Sequence, residues 1–256
     1  KVYLLTKKSN PNYKNKKIKH IKFDLLSSEK IPIKADIIVH MAAIVPYRNN
    51  SSTIKNILEK NLKLTDNLLR YAVNSKIKKI IFISSTDVYP LFNKKKINIK
   101  TKLNCHNEYG LSKIACEKLL KTYCNIFQIT LTILRLGPIY SENLSCNKIS
   151  SLLLNLKDNR DITINNPDDI LSLLNIECAC KAIASSVEAK SGTYLITGPS
   201  LTKKKFFFKA RKKYQSNSKI IFIKKKLKKI KLVFDISNQM KKFTWTFDQK
   251  EMFNNF

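Results

Sequence analysis

Tyr109 and Lys113 stand four residues apart in the run Tyr109-Gly110-Leu111-Ser112-Lys113. On a helix that spacing puts both side chains on one face. A free phenol titrates near ~10 and is a poor base at neutral pH, whereas an ammonium beside it favours the phenolate. Such a pair can take a proton from an alcohol while hydride leaves the same carbon. A second hydroxyl comes from Phe82-Ile83-Ser84-Ser85-Thr86-Asp87-Val88-Tyr89, where Ser85 would end a buried strand and bond the same oxygen. The small residues of His40-Met41-Ala42-Ala43 would let a flat ring approach the backbone. Each pattern also has a plain structural explanation: a surface helix pair, a serine-rich turn, or close helix–strand packing. Asn61, a mildly unfavourable residue inside a helix, says little alone in so asparagine-rich a chain.

The elements that must position these groups alternate. Val2–Thr6, Ile18–Phe23, residues 36–40, Lys79–Ile83 and Ile129–Leu134 read as short strands, apolar on both faces. Between them lie helical periods at 54–74, with Ile54, Ile57, Leu58, Leu62, Thr65, Leu68 and Leu69 on one face, and at 108–126. Doubly apolar strands separated by amphipathic helices predict a parallel sheet covered on both sides, with ligands at the carboxyl ends of the strands. Those ends carry Thr6, Asp24, His40 to Ala43, Ser84 to Thr86, and Arg135 to Pro138. Beyond residue 141 the pattern loosens. Helices are expected at 150–156 and 177–187, and strands at 162–164, 170–174 and 193–196. The lysine-rich remainder, down to Trp245, gives no clear period.

The chain has 256 residues, with 49 Lys+Arg against 18 Asp+Glu and a net charge of +31. That balance suggests nucleic acid or an anionic surface. Only five of the basic residues are arginine, however, and arginine is the residue that reads bases and grips phosphates bidentately. Abundant lysine, asparagine and isoleucine point instead to codon bias. The runs 94–96, 203–205 and 224–226 are then solvated lysines, and no nucleic-acid partner is expected. The six cysteines have no zinc spacing, and no metal is expected. No apolar run reaches the ~18 residues of a membrane span, and no export signal is visible. A cytoplasmic location with reduced cysteines follows as the expectation.

Taken together and in order, these segments resemble the extended short-chain dehydrogenase/reductases, and among them the NAD-dependent epimerase/dehydratase family. The matching text also includes Asp24-Leu25, Asn67-Leu68-Leu69, Ala115-Cys116-Glu117-Lys118, Leu134-Arg135-Leu136 with Tyr140, residues 175–177 with 182–183, Gly192-Thr193-Tyr194, residues 235–237 and Trp245. The resemblance implies a Rossmann-type doubly wound α/β fold with a small α/β substrate lobe at the C-terminus. Residues 1–140 would form the dinucleotide-binding domain, with 160–188 returning to it. Residues 141–256 would mainly form the smaller lobe.

By the same resemblance Tyr109 would be the acid/base, Lys113 would lower its pKa and bind the nicotinamide ribose, and Ser85 would hold the reacting oxygen. Asp24 and Leu25 would flank the adenine, Ala42 and Ala43 would line the cofactor, and Asn61 would lie near it. The substrate would be a nucleotide sugar or related metabolite, epimerised or reduced by hydride transfer at a carbinol. Pairing of two copies through helices 54–74 and 108–126 would follow family habit. The alternative is a non-catalytic Rossmann-type scaffold, dinucleotide sensor or RNA-associated protein.

The chain departs from the family in several places, among them Pro138 where epimerases often have a substrate-contacting asparagine, Leu171 where many have a phosphate-gripping arginine, and Leu64 for a common glycine. The family opens with a strand and a G-x-x-G-x-x-G turn that seats the pyrophosphate. None of Gly110, Gly137, Gly192 and Gly198 fits that motif, and Val2–Thr6 takes the second strand's place. Without an initiator methionine, truncation before Lys1 is the expected cause. Where the dehydratases carry adjacent Asp-Glu, Thr86-Asp87 stand here, which favours epimerase or reductase chemistry. Thr6-Lys7-Lys8 end the second strand, and a basic residue there suits the 2′-phosphate of NADP over NAD.

Overall fold

The computed structural model describes residues 1–7, 17–27, 29–45, 54–91, 96–145, 147–224, 230 and 232–235. Lys8, Lys94, Lys95, residues 225–226, residues 236–237 and Trp245 lie outside the described residues.

Strands β1 (Val2–Thr6), β2 (Ile18–Lys22) and β3 (Ile37–His40) are followed by helix α1 (Ile54–Asn74), strand β4 (Lys79–Ser85), helix α2 (Glu108–Ile126) and strand β5 (Thr130–Leu136). A short 3₁₀ turn, Thr86–Val88, caps the end of β4. The order then runs β6 (Ile139–Tyr140), α3 (Lys148–Lys157), β7 (Ile162–Asn165), β8 (Ile170–Ser172), β9 (Leu174–Asn175), α4 (Ile176–Ser185) and β10 (Gly192–Ile196). The last elements are β11 (Ser200–Thr202), α5 (Lys203–Lys213) and β12 (Ile220–Ile223).

The main sheet has four parallel strands in the order β10-β5-β4-β3. Its crossovers are long, as parallel pairing requires. One face is covered by α1 and α2, where Leu68, Leu69, Ala72, Cys116, Leu120 and Cys124 meet Ile80, Phe82, Leu131 and Ile133. The other face carries α4, with Cys178 and Ala179 against Ile81, Leu134 and Leu136. Period-2 burial fails in β4 and β5 because both of their faces are covered, which is why they read as continuous apolar runs.

β1 and β2 pair in parallel with each other, in a separate two-stranded sheet. α1 holds that piece in place. Asn67 Nδ2 donates to the carbonyls of Leu25 (2.7 Å) and Ser27 (3.3 Å), and Tyr71 Oη donates to the Ile33 carbonyl at 2.7 Å. Among the described residues β1 and β3 thus each pair along one edge only, and both expose apolar side chains: Val2, Leu4, Ile37 and Val39.

A second core gathers Leu153, Leu156, Ile162, Ile164, Phe206, Phe207 and Ala210 from α3, β7 and α5. β7 pairs with β12 in this part, β8 with β11, and β6 with β9, while α4 and β10 bring the chain back to the main sheet. Among the described residues no helix is long and apolar enough to cross a membrane.

Candidate active site

The carboxyl end of β4 and the amino end of α2 are locked together by one turn. Asn107 caps α2: its Oδ1 accepts from Gly110 N at 2.7 Å, and its Nδ2 donates to Asp87 Oδ2 at 3.3 Å. A Cβ on Gly110 would lie 2.3 Å from the Asp87 carbonyl oxygen and 2.8 Å from the Cys105 Cβ. Only glycine lets α2 begin this close to the turn after β4, and Tyr109 is the residue beside it.

One helical turn on, Lys113 is 3% exposed. Its Nζ donates to the Ile83 carbonyl at 2.8 Å and lies 4.7 Å from the Phe82 ring centroid and 5.5 Å from that of Tyr109. An ammonium has three protons, so the single bond to Ile83 leaves donors for a ligand's hydroxyls. Ser85 follows Ile83 by two residues, and its Oγ accepts from Asp87 N at 3.1 Å. The structure therefore gathers Tyr109 and Lys113 over the end of β4, where Ser85 stands. Ser85 and Tyr109 make no bond to one another.

The electrostatics differ from the sequence expectation. Burial pushes Lys113 down to about 8, opposed by Cys116 and Glu117. Burial also raises the Tyr109 phenol well above its ordinary value, and the Asp87 carboxylate and Cys116 add to the rise. The Lys113 ammonium, 5.5 Å from the Tyr109 ring centroid, does not offset that rise.

Beneath the pair, Asn61 acts on the protein's own backbone. Its Oδ1 accepts from Ile44 N at 2.7 Å, and its Nδ2 donates to the Ile44 carbonyl (3.1 Å) and Ser112 Oγ (2.8 Å). It thereby ties the half-buried Ala42–Ala43 loop to α2. Thr65 Oγ1 bonds His40 Nε2 (3.0 Å), the Asn61 carbonyl (2.9 Å) and Cys116 Sγ (3.2 Å). His40 is buried with Nδ1 unpartnered, and burial, aided by the Lys113 charge, pushes it down to about 3. It is a neutral ring packed on Phe82, with centroids 5.3 Å apart.

At the far edge, Asp24 Oδ1 accepts from Leu26 N at 3.0 Å, and Asp24 Oδ2 pairs with Lys7 at 2.8 Å. Those bonds, Lys7 first, hold the Asp24 carboxyl below the usual range. Leu25 is half-buried beside it. No cluster of three metal-ligating side chains occurs among the described residues.

Sequence reasoning passed over Asn107, gave Ser112 no role, placed Thr65 only on the packed face of its helix, and read Asp87 only as a departure from the dehydratases. It quoted Glu117 and Arg135 without giving them work. Two signals were available for these: Tyr109, Lys113 and Glu117 recur every four residues, and Arg135 is a lone charge in an apolar strand.

Residues 1–189 match the family described as NAD dependent epimerase/dehydratase. A dTDP-D-glucose 4,6-dehydratase of Dictyostelium discoideum is 30% identical over 165 residues, covering 56% of this chain and 38% of the relative. An uncharacterized UDP-glucose epimerase of Bacillus subtilis is 29% identical over 128 residues, 49% of this chain and 40% of the relative. The chain thus spans under half the length of these curated relatives. Among solved structures, a UDP-glucose 4-epimerase from Thermotoga maritima superposes with a TM-score of 0.83 at 14% identity, over 99% of this chain and 91% of that one. A UDP-N-acetylglucosamine 4-epimerase from Methanobrevibacter ruminantium gives 0.80 at 20% identity, over 94% and 81%. At such identities the superpositions speak for the Rossmann-type fold, and the match over residues 1–189 speaks for the lineage: the chain belongs to the NAD-dependent epimerase/dehydratase family.

Proposed function

We propose that the protein epimerises or reduces a nucleotide sugar by reversible hydride transfer at a carbinol. The observation that carries this reading is the shared placement of Tyr109 and Lys113 over the end of β4, next to Ser85. Tyr109 takes the proton from the substrate hydroxyl, Ser85 holds that oxygen, and Lys113 offers its two unused N–H donors to the ligand's hydroxyls. NAD, when bound, accepts and returns the hydride. The small Ala42–Ala43 loop, held by Asn61, and the spare protons of Lys113 suit its nicotinamide ribose end, and Asp24 and Leu25 suit its adenosine end.

Residues 1–256 contain no glycine turn for the pyrophosphate, and a strand set between β1 and β3 would join the two sheets. Dinucleotide binding by this stretch alone is therefore expected to be weak. Lys7, which pointed towards NADP, is engaged by Asp24 at 2.8 Å, so we assign NAD. The main sheet with α1, α2, α4 and β10 forms the cofactor part, and α3, α5, β7, β8, β11 and β12 form the substrate part.

The raised Tyr109 phenol favours one rival, a non-catalytic protein of the same fold. Turnover of UDP- and dTDP-hexoses by the full-length protein and by its Tyr109→Phe variant separates the two. A loss of 10²–10⁴-fold is expected for removal of a general acid/base. Equal turnover, or none in the wild type alongside salt-dependent RNA retention, would replace the enzyme reading with the rival.

A further inference from the structure

Behind the site, Glu117 is 1% exposed and Arg135 is 4% exposed. Arg135 Nε and Nη2 donate to Glu117 Oε1 (2.9 Å) and Oε2 (2.6 Å), a two-pronged pair. Ser84 Oγ adds a bond to Glu117 Oε1 at 2.6 Å, and Lys121 Nζ stands 3.7 Å from Oε2. Arg135 Nη1 donates to the buried Tyr89 Oη at 2.8 Å, with the guanidinium 5.2 Å from the Tyr89 ring centroid. Three further side chains, Ser84 of β4, Tyr89 of the segment after it and Lys121 of α2, thus converge on one buried charge pair between α2 and β5.

We propose that Glu117 and Arg135 are positioning residues: their clamp sets the height of α2 along the ends of β4 and β5, and so places Tyr109 and Lys113 over Ser85. The inference rests on the hydride-transfer reading above. Glu117 is one helical turn from Lys113 and two from Tyr109, and Ser84 is the residue before Ser85. The same α2 face that carries the site therefore carries the clamp.

Two physical arguments support this role. Apart from the bond of the flexible Lys113 side chain to the Ile83 carbonyl, the other contacts of α2 with the sheet, through Cys116, Leu120 and Cys124, are apolar and non-directional. They hold the helix down but tolerate sliding, whereas a two-pronged ion pair fixes both distance and angle. A displacement of ~1 Å in a catalytic group can cost ~10²-fold in rate. Secondly, a buried ion pair is a poor way to gain stability. Its desolvation cost rivals its attraction, and apolar residues of similar volume often serve as well or better. Burial works against the Arg135 charge, and the bond and charge of Glu117 more than offset it, holding the guanidinium above its ordinary value. Geometry is what the pair supplies and an apolar replacement would not.

The test is a fourfold variant, Ser84→Ala, Tyr89→Phe, Glu117→Leu and Arg135→Met, made in the full-length protein. The first two changes remove hydroxyls that would otherwise be orphaned. The expected result is a melting temperature close to wild type, substrate KM within ~2-fold, and kcat down by ~10-fold or more. A stable variant with wild-type kcat overturns the proposal. So does a variant that cannot fold, since the pair would then be a folding element. If the wild type itself turns nothing over, the hydride-transfer reading fails, and the clamp is read by amide exchange instead. The stable variant should then exchange residues 108–113 at least ~10-fold faster with α1 unchanged, and unchanged exchange overturns it.

Discussion

The closed centre of the main sheet, β4 and β5, is built differently from the open half beside it, β3 and the separate β1–β2 pair. In β4 five of seven residues are buried, in β5 six of seven, and helices cover both faces. In β1 no residue reaches full burial, and in β3 only His40 does. Val2 is 56% exposed and Val39 is 39% exposed, although both are β-branched residues suited to a covered strand. The proposed acid/base residues Ser85, Tyr109 and Lys113 sit on the closed half, and Asp24 and Leu25, proposed for the adenosine end of the cofactor, on the open half.

This contrast can be broken or sharpened by measurement. Ile81→Ala, in the fully buried middle of β4, should destabilise by ~2–5 kcal/mol, read by denaturant unfolding. Gly110→Ala should cost ~3 kcal/mol or more if α2 cannot move, because the new Cβ meets backbone rather than a flexible side chain. A small effect there would mean that the turn after β4 is looser than drawn.

Lys113 gives a pH signature. Its pKa falls from 10.5 to about 8 on folding, so between these values the unfolded chain binds the extra proton. Stability should then rise as pH climbs from 8 towards 10.5, by up to ~3 kcal/mol, and Lys113→Met should flatten that rise. His40 acts at the other end. With a folded value of about 3 against 6.5, its contribution is present above 6.5 and lost as pH falls towards 3. His40→Gln should flatten the acid limb. The smallest effect belongs to the open half: Val39→Thr should change stability by under ~0.5 kcal/mol. A loss above ~1 kcal/mol would show that this edge is covered in solution.

Much of the closed half was legible in the sequence. The helices at 54–74 and 108–126 stand at the residues where the apolar period placed them, because each packs one stripe on a sheet. The strand read as 170–174 is instead two short ones, β8 and β9, each pairing with a different partner. α5 was missed altogether. Seven of its eleven residues are Lys or Arg, so Phe206, Phe207 and Ala210, which face the second core, are hidden in a run that reads as solvent. In the candidate site, Tyr109 and Lys113 share a helix face as their spacing predicts, while their roles came only from the family resemblance. The upward push on Tyr109 was not legible, because it depends on Asp87 and on burial, neither of which a one-dimensional pattern records.

The half-paired strands have a practical cost in solution. Among the described residues each has one edge with no strand paired to it, flanked by apolar side chains, and such a rim can zip onto another molecule's rim. Lys1 and Lys7 bracket one rim and, with Lys19 and Lys22 on the adjoining strand, would make two such rims repel. Raising ionic strength screens that repulsion, so the protein should stay dispersed in dilute buffer and clump as salt is added.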